Sequence, residues 1–140
     1  MFKTVEEAAK TVPVFFSYNM SLGVSLLCEL SKVAAKVLGT GFDVEIIEAH
    51  HNQKLDAPSG TARSLADIVD CNMNTKTDIQ SVRCGEISGI HTVGYEGRND
   101  RITMTHEAFS REGFAVGAVE AALRTEGLEG VHEFRDLFFE

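Results

Sequence analysis

The sequence contains no tryptophan, two prolines and three cysteines in 140 residues. Two prolines, Pro13 and Pro58, leave no room for a proline-rich linker. Cys28, Cys71 and Cys84 are odd in number and show no paired spacing, which argues against a disulfide framework or a zinc knuckle and fits reduced thiols. Positive charge is also in short supply. Thirteen Lys and Arg against twenty-one Asp and Glu give a formal net charge of −8, and no basic cluster occurs. Nucleic acid and anionic membrane are therefore not expected as partners, because both are held through a positive footprint. No stretch approaches the ~20 consecutive apolar residues of a membrane helix. Residues 1–10 alternate charged with small apolar side chains, unlike a secretory leader. What remains is an acidic chain with 44% hydrophobic residues, enough for one ordinary core, so a cytoplasmic protein of one domain, or a large part of a two-domain one, is expected.

No repeat or low-complexity segment divides the chain. Residues 5–10 read as the end of a helix, and the apolar, aromatic run VPVFFS at 12–17 as a buried strand. Ser21 suits a cap for a helix over 22–38. Leu22, Leu26, Leu27, Leu30, Val33 and Val37 recur there at three- and four-residue steps, and Gly39 stands where the helix stops. A strand over 43–49 follows, then a polar loop and a helix over 61–69. Residues 71–78 read as a mobile polar connection. Strands are predicted at 79–84, 86–95 and 101–108, the last two joined by a hairpin turn at Gly97-Arg98-Asn99-Asp100. An alanine-rich helix at 114–124 precedes an aromatic tail with Phe134, Leu137, Phe138 and Phe139. This order predicts an α+β fold, with a mostly antiparallel or mixed sheet covered by helices on one face. The other face, assigned Val82, Ile87, Ile90, Val93, Ile102 and Met104, is expected to serve oligomerisation.

Chemistry concentrates in EAHHNQKLDAPSGTA, residues 48–62, which runs from the end of a strand to the start of a helix. A helix start offers unpaired N–H groups and the positive end of the peptide dipoles. Ser59, Gly60 and Thr61 would present donors there, and Lys54 adds a full positive charge, so a carboxylate or phosphate suits the site. His50 and His51 supply groups that titrate near neutrality, as proton transfer requires. Neighbours in an extended segment point opposite ways, so at most one of the two serves as acid while the other binds or packs. The same residues also make a plain polar loop with a Pro-Ser-Gly-Thr helix cap and no ligand. Adjacent histidines cannot readily ligate one ion, and the H-x-x-x-H spacing is missing, so no metal site is expected.

The same string resembles the signature E-x-H-H-x-x-K-x-D-A-P-S-G-T-A of the dihydrodipicolinate reductase family and matches every fixed position. NMSLGV at 19–24 is similar to that family's N-[FM]-S-x-G-V turn, and GIHTV at 89–93, THEAFSR at 105–111 and FAVGA at 114–118 follow its later strands and last helix. The resemblance extends from about residue 13 onward. It implies an enzyme of lysine and diaminopimelate biosynthesis that reduces 4-hydroxy-tetrahydrodipicolinate to tetrahydrodipicolinate with NADPH or NADH. By position, His50 would be the proton donor and Lys54 its catalytic partner. His51, Ser59, Gly60 and Thr61 would hold the substrate carboxylates, and Ser17, Tyr18, Asn19 and Met20 would line the nicotinamide end of the cofactor site. The resemblance also implies a homotetramer built through sheet contacts. The family begins with a dinucleotide-binding domain carrying a glycine-rich fingerprint, and no G-x-x-G-x-x-G run occurs here. Residues 1–17 are thus expected to be the last helix and strand of such a domain, and 18–140 the substrate-binding and oligomerisation domain, inactive alone. The connection at 71–78 is shorter than the family's. A non-catalytic oligomerisation or dicarboxylate-binding module derived from the same fold is the alternative.

Overall fold

The computed structural model describes residues 2–139. In chain order its elements are α1 (Phe2–Ala8), β1 (Pro13–Phe16), α2 (Leu22–Leu38), β2 (Asp43–His50), α3 (Gly60–Met73), β3 (Asp78–Arg83), β4 (Ile90–Glu96), β5 (Arg101–Glu107), α4 (Glu112–Leu123) and β6 (Gly130–Glu133), with short 3-10 turns at Gly39–Gly41 and Phe134–Leu137. They fall into two compact units, Met1–Leu22 with Glu112–Glu140, and Gly23–Arg111. Among the described residues no helix is long and apolar enough to cross a membrane.

In the unit formed by the chain ends, β1 pairs in parallel with β6, Pro13 opposite Gly130 and Phe16 opposite Glu133. The tail expected as an aromatic cluster thus contains a strand, and Phe134 just beyond it is fully buried. α4 approaches the backbone at Met20 so closely that a Cβ on Gly117 would fall 1.6 Å from the Met20 carbonyl oxygen. Only glycine fits there.

The larger unit is a four-stranded mixed sheet in the order β3-β2-β4-β5. β2 runs parallel to β3 and antiparallel to β4, which is antiparallel to β5. The hairpin closes where predicted, with Gly97 N–H donating to the Asp100 carbonyl at 2.9 Å. α2 and α3 cover one face, and Leu27, Ala35, Leu65, Val69, Ile46, Val93 and Tyr95 form the core between them. Tyr95 is buried because its hydroxyl donates to the Ser31 carbonyl at 2.8 Å, and burial pushes its pKa up to about 12 despite that bond.

Three expectations change. The pairing places Ile46 opposite Val93, and Val93 opposite Met104, so Val93, Met104 and Ile102 lie on the helix-covered face rather than the open one. Ile87 falls in the segment before β4, which starts at Ile90 because Gly85 and Gly89 adopt positive φ. The open face keeps Ile47, Ala49, Val82 and Ile90. α2 has the predicted bounds, but of its apolar stripe only Leu27 is buried. Val24, Cys28, Ser31 and Ala35 share the core side, and Leu26, Leu30, Val33 and Val37 are exposed. α3 continues to Met73 and ends at Asn74 in the left-handed region. The expected mobile connection is therefore short, and it is tied back by Thr77 N–H and hydroxyl donating to Asp70 Oδ1 at 2.8 and 2.7 Å.

Candidate functional site

Period-two alternation in β2 sends Glu48 and His50 to the same, helix-facing side of the sheet. Register brings partners from both neighbours: Arg83 of β3 stands beside His50, and His91 of β4 beside Glu48. Glu48 is fully buried, and a buried carboxylate must be surrounded by donors. Arg83 supplies two in bidentate form, Nη2 to Oε1 at 2.8 Å and Nη1 to Oε2 at 2.9 Å. Ser59 N–H donates to Oε1 at 3.1 Å, and His50 Nδ1 lies 2.5 Å from Oε2. Burial alone would raise the Glu48 pKa. The bonds from Arg83, Ser81, His50 and Ser59 outweigh it and hold the carboxyl at about 2.

Ser59 caps α3, its Oγ accepting from Ala62 N–H at 3.2 Å. The same Oγ sits 2.9 Å from His91 Nε2. The His91 ring stands edge-on to His50 with centroids 5.1 Å apart. Burial, helped by the neighbouring His50, pushes the His91 pKa down to about 4. His91 is therefore neutral at pH 7, and its Nε2 shares a hydrogen bond with the Ser59 hydroxyl. Gly89 borders the ring of His50, and a Cβ there would reach within 3.2 Å of Nε2.

The loop over 51–59 hangs on the same residues. Arg83 Nη2 also donates to the Asp56 carbonyl at 2.7 Å. Lys54 Nζ pairs with Asp56 Oδ1 at 2.8 Å, and that bond first of all lowers the Asp56 pKa. The peptide between Ala57 and Pro58 is cis.

Of the predicted site residues, His50 and Ser59 meet at the Glu48 carboxylate, and Lys54 is tied to the same cluster through Asp56 and Arg83. His51 is half-buried at the head of the loop, while Gly60 and Thr61 open α3. Ser17, Tyr18, Asn19 and Met20 belong to the other unit. There Ser17 Oγ donates to the Asn19 carbonyl at 2.9 Å, and Asn19 Oδ1 accepts from Ser21 N–H at 2.8 Å, folding a tight turn with Tyr18 89% exposed. Glu48, Arg83 and His91 were given no role from sequence. Glu48 opens the signature string and His91 sits in a matching strand, but Arg83 belongs to no motif. Among the described residues no group of His, Cys, Asp or Glu is arranged to hold a metal ion.

The larger unit is thus an α+β domain, a mixed sheet under two helices with a buried His–carboxylate–Arg cluster beside a helix start. Residues 23–138 match the family described as dihydrodipicolinate reductase, C-terminus, and the chain belongs to that family. It is 46% identical to the 4-hydroxy-tetrahydrodipicolinate reductase of Caldanaerobacter subterraneus subsp. tengcongensis, over 96% of this chain and 61% of that protein. It is 44% identical to the enzyme of the same name from Aquifex aeolicus, over 89% of this chain and 54% of the relative. The chain thus spans little more than half the length of these curated relatives. The first alignment runs over 154 positions, more than this chain has residues. That relative therefore has residues inside the matched stretch that this chain lacks. The dipicolinate-bound dihydrodipicolinate reductase from Paenisporosarcina sp. TG-14 has the same fold, with a TM-score of 0.79 at 24% identity over 94% of this chain and 57% of that one.

Proposed function

We propose that this chain is the substrate-binding part of an NADPH- or NADH-dependent 4-hydroxy-tetrahydrodipicolinate reductase, a cytoplasmic homotetramer of lysine and diaminopimelate biosynthesis. The reduced nicotinamide supplies hydride when bound, and the turn at Ser17, Tyr18, Asn19 and Met20 lines its end of the site. His50 donates the proton, with Lys54 as its catalytic partner. His51, Ser59, Gly60 and Thr61 neutralise and orient the substrate carboxylates at the start of α3. The observation that carries this reading is the buried, ionised Glu48 bonded to His50. A carboxylate behind an imidazole fixes the ring's orientation. A dicarboxylate ligand is also in keeping with the bound dipicolinate of the Paenisporosarcina protein.

The site's parts lie close together in sequence, so binding is testable on the chain itself. 2,6-Pyridinedicarboxylate should bind, with chemical-shift changes centred on residues 50–62. Lys54→Ala should weaken binding and added salt should compete. No binding at millimolar ligand, or shifts that map elsewhere, would refute the assignment.

A further inference from the structure

The bonding around Glu48 assigns a function to the residues that sequence left without one. We infer that Glu48, locked in place by Arg83, is a positioning residue that holds His50 in the Nδ1–H form and so reserves Nε2 for the transferable proton. This deepens the role proposed above for His50 and rests on it only for the identity of the reaction.

The inference follows from counting donors. An ionised carboxylate can only accept. Oε1 accepts from Arg83 Nη2 and from Ser59 N–H. Oε2 accepts from Arg83 Nη1 at 2.9 Å and faces His50 Nδ1 at 2.5 Å. Arg83 and the Ser59 amide can only donate and the Ser81 hydroxyl is free to donate, so the short contact that is left requires hydrogen on Nδ1. In neutral His50 the lone pair is then on Nε2, and a proton taken up from outside must go there. Among the described residues Nε2 makes no hydrogen bond, and Gly89 leaves the space beside it open. Arg83 is equally placed to hold the Lys54 loop, through its bond from Nη2 to the Asp56 carbonyl. One guanidinium on β3 therefore fixes both the histidine and the loop that follows it.

Glu48→Gln separates positioning from mere packing, because the amide is the same size but carries two donors. The NH2 group cannot take the Oε1 place, where Arg83 and the Ser59 amide both donate and neither can change. It takes the Oε2 place instead, where one fixed donor, Arg83 Nη1, must turn away rather than two, and where His50 can respond by becoming an acceptor. The neutral ring should then switch to the Nε2–H form. Long-range 1H–15N spectra of the folded chain, recorded above the histidine titration range, read this directly. Wild-type His50 should show a protonated Nδ1 and a bare Nε2, and in Glu48→Gln the two resonances should exchange character. Finding Nε2–H in the wild type overturns the inference, whatever the variant does. Finding Nδ1–H unchanged in a folded Glu48→Gln overturns it as well. Should that variant not fold, Arg83→Lys, which keeps the charge but loses the fork, should give a mixture of the two forms. A single Nδ1–H form in Arg83→Lys would then remove Arg83 from the role. None of these readouts depends on turnover or on dicarboxylate binding, so the proposed reaction can fail while the tautomer assignment stands, and the reverse.

Discussion

At the scale of single residues the site is a problem of buried charge. Glu48 is kept ionised by donors from three separate segments, and His91 is kept neutral by burial. Both choices make the fold sensitive to acid. An unfolded chain protonates His91 at its ordinary 6.5, whereas the folded chain does so only near 4. Between these values the unfolded state binds more protons, so stability is fully present above pH 6.5 and falls as pH drops towards 4. The shift corresponds to about 3 kcal/mol. Glu48 adds a further loss lower down, from its ordinary 4.5 to about 2. His91→Gln keeps a group that can bond to Ser59 but does not titrate. Urea unfolding at a series of pH values from 7 to 4 should show a shallower slope in this variant than in the wild type. The slope should not vanish, because His106 is also pushed down by burial. Identical slopes would mean that His91 is not the group responsible.

At the scale of elements, α2 shows how apolar spacing can mislead. Leu22, Leu26, Leu30, Val33 and Val37 keep helical steps, yet the side that meets the sheet carries Val24, Leu27, Cys28, Ser31 and Ala35. Both stripes are apolar enough to be the buried one, and periodicity alone cannot rank them. The small side chains let the helix lie close to Tyr95, whose hydroxyl needs the Ser31 carbonyl. Leu27→Ala should therefore cost about 2–5 kcal/mol of unfolding free energy, while Leu30→Ala, at a position 46% exposed, should cost less than about 1 kcal/mol. Denaturant melts of the two variants give the comparison, and the opposite order would contradict this packing. The bounds of α2 were legible because serine and glycine punctuate them. β6 was not, since a four-residue GVHE strand pairs with a segment more than a hundred positions earlier. The site divides in the same way. The loop of residues 48–62 could be read because it is contiguous, whereas Arg83 and His91 join it only through strand register.

At the scale of the whole molecule, the open face of the larger sheet remains to be accounted for. Register arranges it in rows: Val82, Ala49 and Ile90 lie side by side across β3, β2 and β4, and the next row contains Gln80, Ile47 and Thr92. Beyond Thr92 the row continues with Thr105, the two hydroxyls 3.0 Å apart. Towards the other end of the face, Arg101 pairs with Glu45 and Glu96. The face is thus apolar across β3, β2 and β4 at one end, where Glu107 of β5 rims the first row, and charged at the other, as suits a symmetric contact that hides the apolar rows and leaves the charges wet. Burying the apolar rows contributes about 25 cal/mol per Å², and face-to-face pairing about a two-fold axis gives a dimer. A second two-fold contact along an edge strand, β3 or β5, would complete the four copies of the homotetramer proposed above. Light scattering of the chain at micromolar concentration should therefore return a tetramer. The double variant Ile47→Glu with Val82→Glu should break the face contact, because each copy would bring two unpaired carboxylates into a dry interface. That variant should return a smaller species with its own sheet intact, as judged by circular dichroism. A wild-type monomer under the same conditions, or a double variant that still assembles fully, would place the contact elsewhere on the surface.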